Sequence, residues 1–278
     1  MANVPTIATT PRTNLKNRIG VSLALRAYEG AKMVFCSSNY TRQLILQTLK
    51  SEGKAIPEMV VLGHAVADEF IERPRNNSHM SVLKKELNLH GSKVLLTVSR
   101  LVEGKGIDVV IRALPYILGA GVDVKYLVAG EGPLRADLAR LAQRQGVEER
   151  VIFLGKVVGD KLIDLYDLCD CFALVSSREE ETFGIVLAEA SARSKPVIAG
   201  NSGGQPDVVE DGKTGFLVDP HNVEDFAVKA LKLLTDRQLA MQMGRLGKEK
   251  IVKAFSSAAL AEKIRRALKR FGRWPNPV

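Results

Sequence analysis

Two carboxylates eight positions apart, Glu181 and Glu189, enclose the segment Thr-Phe-Gly-Ile-Val-Leu-Ala and form the most informative pattern of the chain. An apolar run at 171–175 precedes them, and a helix-forming stretch from Ile185 carries the second carboxylate. This order predicts that Glu181 lies in a loop at the carboxyl end of a strand and that Glu189 lies one turn into the next helix. Carboxylates accept hydrogen bonds from sugar hydroxyls, and the N–H groups at a helix amino terminus bind phosphate. The pattern therefore indicates a site for a polyhydroxylated, anionic ligand.

The elements that position this pattern alternate regularly from residue 93 onward. Strand-like runs alternate with helical patterns, which indicates βαβ units and hence an α/β fold, a parallel sheet with helices on both faces. The predicted strands are 94–98, 124–128, 151–154, 171–175, 196–199 and 215–218, and the predicted helices are 106–119, 133–145, 159–168, 184–194 and 222–235. In such a sheet ligands bind outside the carboxyl ends of the strands.

Charged and glycine-rich loops follow five of these strands. Arg100 and Lys105 flank a glycine turn after the first strand, a suitable clamp for a diphosphate, although two solvated cations in a loop are the alternative. The later loops contain Gly130-Glu131-Gly132-Pro133, Gly155-Lys156-Val157, the paired glutamates and Gly203-Gly204. Each loop alone is an ordinary turn, but their recurrence at successive strand ends favours one shared site.

Other chemistries are disfavoured by the residue pattern. The chain has neither a Walker loop nor the dinucleotide fingerprint Gly-x-Gly-x-x-Gly, and its four histidines, His64, His79, His90 and His221, lack the spacing of metal ligands. We therefore expect no metal and no cofactor. The two glutamates could instead be the acid and base of a glycosidase, but those enzymes usually carry the pair on separate strands or loops. Binding roles fit the spacing better.

Composition indicates an ordinary globular protein with a basic surface. The 278 residues have 46% hydrophobic and 26% charged content with a net charge of +9, which solubility, an anionic substrate or a lipid surface explains. Aromatic residues make up 5% and are not interleaved with basic runs, so no nucleic-acid partner is expected. Cys36, Cys169 and Cys171 suit a reducing compartment as packing thiols. Without a signal-peptide pattern or an apolar membrane span, we expect a cytoplasmic location.

The matching residues identify a resemblance. The chain is similar to the retaining, metal-independent glycosyltransferases with two Rossmann-like domains, which are the GT-B type (family GT4, glycosyl transferases group 1). The elements that carry this resemblance, over residues 91–255, are Ser99–Leu101 with Lys105–Gly106, Gly130–Pro133, Phe153–Gly155, Ser177–Glu181 with Phe183–Gly184 and Glu189–Ala190, Gly203–Gly204 with Pro206–Asp207, and Glu210–Val218.

The resemblance implies a transfer of sugar from a nucleotide-diphosphate donor to a glycan or lipid-linked acceptor. The catalytic residues that it implies are Arg100, Lys105 and Glu181. Arg100 and Lys105 would hold the diphosphate and stabilise the charge that builds on the departing nucleotide, and Glu181 would bind the sugar hydroxyls. Glu189 would bind the ribose hydroxyls. The remaining donor-binding residues that it implies are Gly130, Glu131, Lys156, Val157, Phe183, Gly184 and Ile185, the last three through backbone N–H groups.

The chain departs from the family pattern before residue 91. We predict a remnant of the amino-terminal, acceptor-side domain over 1–65, a linker over 66–90, the donor-binding domain over 91–255 and a basic helix over 256–278. The alternative function is a non-catalytic nucleotide-sugar-binding subunit or fragment that needs a separate amino-terminal-domain chain. A phosphorylase or an epimerase on the same fold is a third alternative, but no motif supports it.

The carboxyl-terminal helix has two interpretations. It could touch an anionic membrane on the cytoplasmic face, or its apolar stripe could pack back on the amino-terminal segment. The basic and aromatic residues in question are Lys263, Arg265, Arg266, Lys269, Arg270, Phe271, Arg273 and Trp274.

Overall fold

The computed structural model of the chain describes residues 7–9, 28, 30–178 and 181–270. The chain forms two compact units, one of residues 66–256 and a smaller one that combines residues 1–65 with 257–278. The sequence also predicts a helix at 17–31, and most of that segment lies outside the described residues, as do Phe271, Arg273 and Trp274.

The elements occur in the alternating order that the sequence predicts. The strands are β1 (Ile7–Thr9), β2 (Met33–Cys36), β3 (Glu58–Val61), β4 (Lys93–Val98), β5 (Val124–Ala129), β6 (Val151–Gly155), β7 (Cys171–Leu174), β8 (Val197–Gly200) and β9 (Gly215–Val218). The helices are α1 (Asn39–Ser51), α2 (Asp68–Glu72), α3 (Asn77–Glu86), α4 (Ile107–Gly119), α5 (Arg135–Arg144), α6 (Asp160–Leu168), α7 (Ile185–Ala192), α8 (Gln205–Val208), α9 (Val223–Thr235), α10 (Arg237–Phe255) and α11 (Ser257–Lys269), with a 3-10 turn at Glu148–Arg150.

The larger unit is a parallel six-stranded sheet in the order β6-β5-β4-β7-β8-β9. Helices cover both of its faces, so its central strands are nearly continuous apolar runs. On β7, Cys171 and Ala173 join the core shared with α4 and α9, whereas Phe172 packs against Tyr166 of α6. This is the α/β architecture with a parallel sheet that the alternation predicted.

The strand order reverses between β4 and β7. After β4 the chain builds β5 and β6 on one side, and it then returns to place β7 on the other side of β4. The loops that leave β4 and β7 consequently diverge from two neighbouring strands and open a crevice at their carboxyl ends. The Arg100–Lys105 turn and the Glu181 loop follow these two strands.

The smaller unit is built on a parallel sheet in the order β1-β2-β3. Alternate residues of β2 face opposite layers, since Val34 and Cys36 pack in the cluster that contains Ile45 of α1, and Met33 and Phe35 pack in the cluster that contains Leu268 of α11. The apolar stripe of α11 therefore packs on this sheet, as the second interpretation of that helix proposed.

Two basic residues of α11 and Arg270, which directly follows the helix, have acidic partners. Arg265 and Arg266 both donate to Glu262, and Arg270 donates to Glu58 at 2.7 Å. These pairs reduce the net positive charge that the helix presents.

Two parts of the larger unit differ from the sequence-based prediction. The segment 66–90, predicted as a linker, holds α2 and α3, which bury Phe70 and Leu83 in this unit. No helix was predicted at 237–255, where α10 forms with Gly244 and Gly247 on its buried side. Glycine normally disfavours a helix, but here a Cβ at Gly244 would lie 2.1 Å from the carbonyl oxygen of Ser194. Close helix packing thus overrides the local propensity.

The three cysteines are free thiols inside the protein. Burial raises the pKa of Cys36 to about 11 and that of Cys169 to about 12. They are inert packing groups, as predicted.

Candidate donor-binding site

The loops after β4 and β7 are joined by direct hydrogen bonds. The carbonyl oxygen of Gly104 accepts from the backbone N–H of Ser177 and from the Ser176 hydroxyl, each at 2.9 Å. The Arg178 guanidinium also donates to the carbonyl oxygen of Glu103 at 3.1 Å. Residues far apart in sequence therefore form one surface at the reversal of strand order.

The approach of these loops requires glycine at the start of α4. Gly106 caps that helix with φ of +72°, and a Cβ there would lie 2.1 Å from the carbonyl oxygen of Val175. Any other residue would both strain the backbone and push the β7 loop away. The close contact brings the amino terminus of α4, with its N–H groups, to the edge of the crevice.

Lys105 and Glu181 meet across this crevice. The Lys105 ammonium donates a hydrogen bond to Oε2 of Glu181, and the side chains are only 19% and 16% exposed. Partial burial strengthens such a pair compared with one in open solvent. The crevice therefore holds a cation and a carboxylate side by side, one suited to phosphate oxygens and the other to hydroxyl groups.

The backbone of Glu181 is held by the loop that follows β8. Its carbonyl oxygen accepts from the N–H of Gly204 at 2.7 Å. The buried amide of Gln205 donates to the carbonyl oxygen of Ser176 at 2.9 Å and accepts from Gly200 at 3.2 Å. Three successive loops thus position one carboxylate.

The loops after β5 and β6 extend the same edge. Gly130 donates to the carbonyl oxygen of Gly155 at 2.7 Å, and the carbonyl oxygen of Glu131 accepts from Leu101 at 2.9 Å. The Glu131 side chain is exposed and lies near Gly155. These contacts connect the predicted base-binding loop to the predicted diphosphate loop.

Arg100 and Lys156 reach into solvent. Both side chains are exposed, and no ion pair joins either of them to another residue that the structure describes; Val157 is half-buried. The predicted cations are therefore split, with Lys105 held by a carboxylate and Arg100 at the open edge of the crevice.

At the start of α7, the groups available to a ligand belong to the backbone rather than to side chains. Gly184 caps the helix in the left-handed conformation, with φ of +86°, and Ile185 is its first residue. The Phe183 ring is buried and meets the Phe255 ring edge-on at 5.0 Å between centroids. The ring of Phe183 is therefore a packing group, and only its backbone is left for the predicted contact with a ligand.

Glu189 has a different environment from Glu181. Its Oε2 accepts from the Tyr166 hydroxyl at 2.8 Å, and no hydrogen bond or ion pair within the described ranges joins it to Glu181 or Lys105. The pKa of Glu189 is raised to about 6, because burial, with a smaller contribution from the nearby Glu69, outweighs the Tyr166 hydrogen bond, which lowers it. The two carboxylates therefore occupy separate parts of the loop–helix junction.

Tyr166 and Gln205 are not among the site residues that the sequence predicts. Each is a buried polar group that supports one of the predicted carboxylates, Tyr166 through the side chain of Glu189 and Gln205 through the loop that carries Glu181. A polar side chain between Gly204 and Pro206 is a signal that could have pointed to Gln205. No sequence signal pairs Tyr166 with a carboxylate on another helix.

Two surface cavities of the larger unit contain none of the predicted site residues. The first, of about 450 Å³, is lined by Ser194, Arg245, Lys248, Glu249, Val252 and Lys253, and the second, of about 240 Å³, is lined by His79, Val82, Leu83, Glu86, Lys161 and Asp164. Among the described residues there is no group of three or more His, Cys, Asp or Glu placed to hold a metal ion. No helix within the described residues has the length and apolar character needed to cross a bilayer.

Known proteins are similar to this chain in sequence and in fold. The sequence model of the family described as "Glycosyl transferases group 1" matches residues 81–250. The GDP-mannose-dependent alpha-(1-6)-phosphatidylinositol monomannoside mannosyltransferase of Mycobacterium tuberculosis is 34% identical over 248 residues, which is 87% of this chain and 63% of that protein. The N-acetyl-alpha-D-glucosaminyl L-malate synthase of Bacillus anthracis is 35% identical over 187 residues, 67% of this chain and 48% of that protein.

Solved structures share the fold. The HepE protein of Anabaena, crystallised with UDP and glucose, aligns with a TM-score of 0.82 at 23% identity, over 96% of this chain and 72% of that one. The sucrose-phosphate synthase of Thermosynechococcus elongatus aligns with a TM-score of 0.75 at 23% identity, over 92% of this chain and 62% of that one. At 23% sequence identity, the structural similarity to these two proteins shows that the chain shares their fold.

The chain spans 63% of the length of the mycobacterial relative and 48% of that of the Bacillus relative. The family model nevertheless covers the whole crevice, from the β4 loop to the β8 loop, and the fold has the parallel sheet that the family resemblance implied. The chain belongs to the glycosyl transferases group 1, a family with the GT-B fold.

Proposed function

We propose that this chain binds a nucleotide-diphosphate sugar and transfers the sugar, with retention and without a metal ion, to a glycan or lipid-linked acceptor. The observation that carries the proposal is the contact between Lys105 and Glu181 in the crevice between β4 and β7. A sugar diphosphate presents a dense negative charge beside a set of hydroxyl groups. A partly buried ammonium next to a carboxylate complements both.

The chemistry asked of these residues is charge stabilisation. Transfer breaks the bond between the anomeric carbon and the β-phosphate oxygen, and the electron pair stays on the departing nucleotide. Lys105, Arg100 and the N–H groups at the amino terminus of α4 would stabilise that charge. With retention, the acceptor oxygen bonds to the face that the phosphate leaves, and its proton passes to the departing phosphate oxygen.

The remaining donor contacts follow the order of the loops. Glu181 would accept hydrogen bonds from the sugar, and the N–H groups around Phe183, Gly184 and Ile185 would meet sugar and phosphate. Glu189 would bind the ribose, and the base would lie beside Lys156 and Val157. Gly130 and Glu131 would border the sugar–diphosphate part of the site.

The relatives suggest which donors to test first. The mycobacterial relative is named as GDP-mannose-dependent, and the Anabaena structure contains UDP and glucose. Titration calorimetry with GDP-mannose, UDP-glucose and ADP-glucose would identify the base and the sugar. The proposal predicts saturable binding of at least one of them and would be wrong if none of the common nucleotide sugars bound.

The matched variants are Lys105→Met and Lys93→Met. Lys93 lies at the amino end of β4 and also faces a carboxylate, Asp170, at 3.5 Å. We expect Lys105→Met to lower the affinity for the nucleotide sugar by tenfold or more, since a charge-assisted contact with phosphate contributes about 1.5–3 kcal/mol. Lys93→Met should leave binding unchanged, and an equal loss in both variants would contradict a role for the crevice.

The alternative of a binding subunit makes a different prediction. If acceptor groups come from a separate amino-terminal-domain chain, the purified protein binds the nucleotide sugar but transfers no sugar alone. Turnover that appears only when such a chain is added would support the split arrangement. Turnover by this chain alone would exclude it.

A peripheral membrane contact on the cytoplasmic face is part of the proposal for lipid-linked acceptors. At the end of α11, Arg266, Lys269 and the following Arg270 are exposed, although Arg266 and Arg270 have acidic partners. Cosedimentation with neutral vesicles and with vesicles containing phosphatidylserine tests it. Binding to the anionic vesicles that salt abolishes supports the contact, and no difference between the two vesicle types would exclude it.

A further inference from the structure

Glu189 and Arg193 lie one helical turn apart and contact neighbouring residues of α6. Glu189 accepts from Tyr166 at 2.8 Å, and the Arg193 guanidinium donates to both oxygens of Asp167 at 2.9 Å and 2.6 Å. Because residues four positions apart share a helix face, the two contacts lock that face of α7 and its extension onto α6.

Tyr166 is itself fixed from two sides. Its buried ring meets Phe70 at 5.9 Å and Phe172 at 5.5 Å between centroids. Burial raises the pKa of Tyr166 well above its usual value, so its hydroxyl keeps its proton and acts as a donor to Glu189 at any physiological pH. The Tyr166 hydroxyl therefore has a fixed position and always acts as the hydrogen-bond donor to Glu189.

The Phe70 side of this arrangement depends on Arg193. One guanidinium nitrogen donates to the carbonyl oxygens of Phe70 at 3.3 Å and Arg73 at 2.6 Å. Arg193 is almost fully buried, so these bonds are protected from water. The same arginine thus fastens α2 and α6 around the tyrosine that contacts Glu189.

We propose that Tyr166 is a positioning residue for nucleotide recognition: its hydroxyl holds Oε2 of Glu189 so that Oε1 is presented to the ribose hydroxyls of the donor. This inference rests on the proposed function and on its assignment of the ribose to Glu189. A carboxylate with one oxygen held by a rigid phenol loses little conformational entropy when the other oxygen accepts the diol.

The arrangement also predicts how recognition depends on pH. The titratable groups that act on Glu189 are Tyr166 on α6 and Glu69 on α2. Only the ionised carboxylate is a pure acceptor, so affinity for a ribonucleotide should fall as the pH drops through about 6, where Glu189 takes up a proton. Without the Tyr166 hydroxyl the pKa of Glu189 rises, and this fall should occur at a higher pH.

The test compares a ribonucleotide with its 2′,3′-dideoxy analogue. The nucleoside diphosphate that the wild-type protein binds, for example GDP or UDP, is titrated together with that analogue. Tyr166→Phe should lower the affinity for the ribonucleotide about tenfold, which is the loss expected for one hydrogen bond to a charged group. It should leave the dideoxy analogue unchanged, because that ligand has no hydroxyls for Glu189.

Tyr126→Phe is the matched control. Tyr126 is equally buried and donates to the Thr97 hydroxyl at 2.8 Å, so this variant also loses one buried hydrogen bond. It should keep the wild-type ratio of the two affinities even if its stability falls. In a Glu189→Ala background, which removes the group that Tyr166 contacts, Tyr166→Phe should have no further effect on that ratio.

Each outcome is decisive. A Tyr166→Phe variant with the wild-type ratio and the wild-type pH profile overturns the positioning role and leaves the proposed function intact. An equal loss for both ligands shows a general structural effect and also overturns the role. A wild-type chain that binds neither nucleotide overturns the proposed function, and the role of Tyr166 with it.

Discussion

Lys105 and Glu181, which are 76 residues apart in the sequence, form an ion pair across the crevice between β4 and β7. The pair depends on the reversal of strand order, which makes two distant loops neighbours, and on Gly106, which lets them approach. Each partner therefore offers a separate test of the proposed donor site.

The first prediction separates the sugar from the nucleotide. In Glu181→Gln we expect the affinity for the nucleotide sugar to fall to that for the nucleotide alone, because the carboxylate that accepts from the sugar is gone. Lys105→Met should lower the affinity for the nucleotide sugar and for the nucleotide alike, since both ligands carry the diphosphate. Calorimetry with the two ligands measures the difference. Glu224→Gln, an exposed change at the start of α9, is the control, and an equal loss of both ligands in Glu181→Gln would contradict the assignment.

The second prediction concerns the glycines at the two ends of α4. Gly106 and Gly121 both have positive φ, but only at Gly106 would a Cβ meet another atom within 4 Å. Gly121→Ala should cost about 1 kcal/mol of unfolding free energy from backbone strain. Gly106→Ala should cost about 3 kcal/mol because it adds a clash, and it should weaken nucleotide binding. Urea unfolding measures both, and equal costs would show that the loops can separate freely.

The third prediction concerns the buried pair of Arg193 and Asp167. Their side chains are 3% and 1% exposed, and a second arginine that pairs with Asp167, Arg75, is half-exposed at 3.5 Å. Arg193→Met should lower the unfolding free energy by about 3 kcal/mol, since it strands a buried carboxylate. Arg140→Met breaks an exposed pair with Asp137 and should cost less than about 1 kcal/mol. Urea unfolding followed by circular dichroism compares them, and a small cost for Arg193→Met would refute the buried-charge argument.

The fourth prediction follows from the raised pKa of Glu189. Because the folded protein holds this proton more tightly than the unfolded chain, Glu189 loses stabilising free energy as the pH rises from the ordinary value of 4.5 through about 6. The difference corresponds to about 2 kcal/mol. Glu189→Gln should therefore gain stability relative to the wild type between about pH 4 and about pH 6, and the difference should level off above about pH 7. Denaturation at several pH values measures the gain, and a difference that stays constant with pH would count against the raised pKa.

Local sequence patterns were sufficient to predict the strands, most of the helices and the loops that carry charge. Burial on both faces of a parallel sheet imposes continuous apolar runs, and these runs are visible without any knowledge of the partners. The prediction failed at α10, where Gly244 and Gly247 lower the helix propensity, and at α2 and α3, whose polar composition resembled a linker. In each case packing against the rest of the unit outweighs the local signal.

The sequence by itself determined that glycines, cations and carboxylates follow successive strands, and therefore which family the chain belongs to. Only the tertiary structure decided that Lys105 pairs with Glu181 and that Tyr166 supports Glu189. The physical reason is that local patterns and long-range contacts depend on different distances along the sequence. The periodicity that specifies a strand or a helix lies within a few residues, whereas a contact across 76 residues depends on the order in which strands join the sheet.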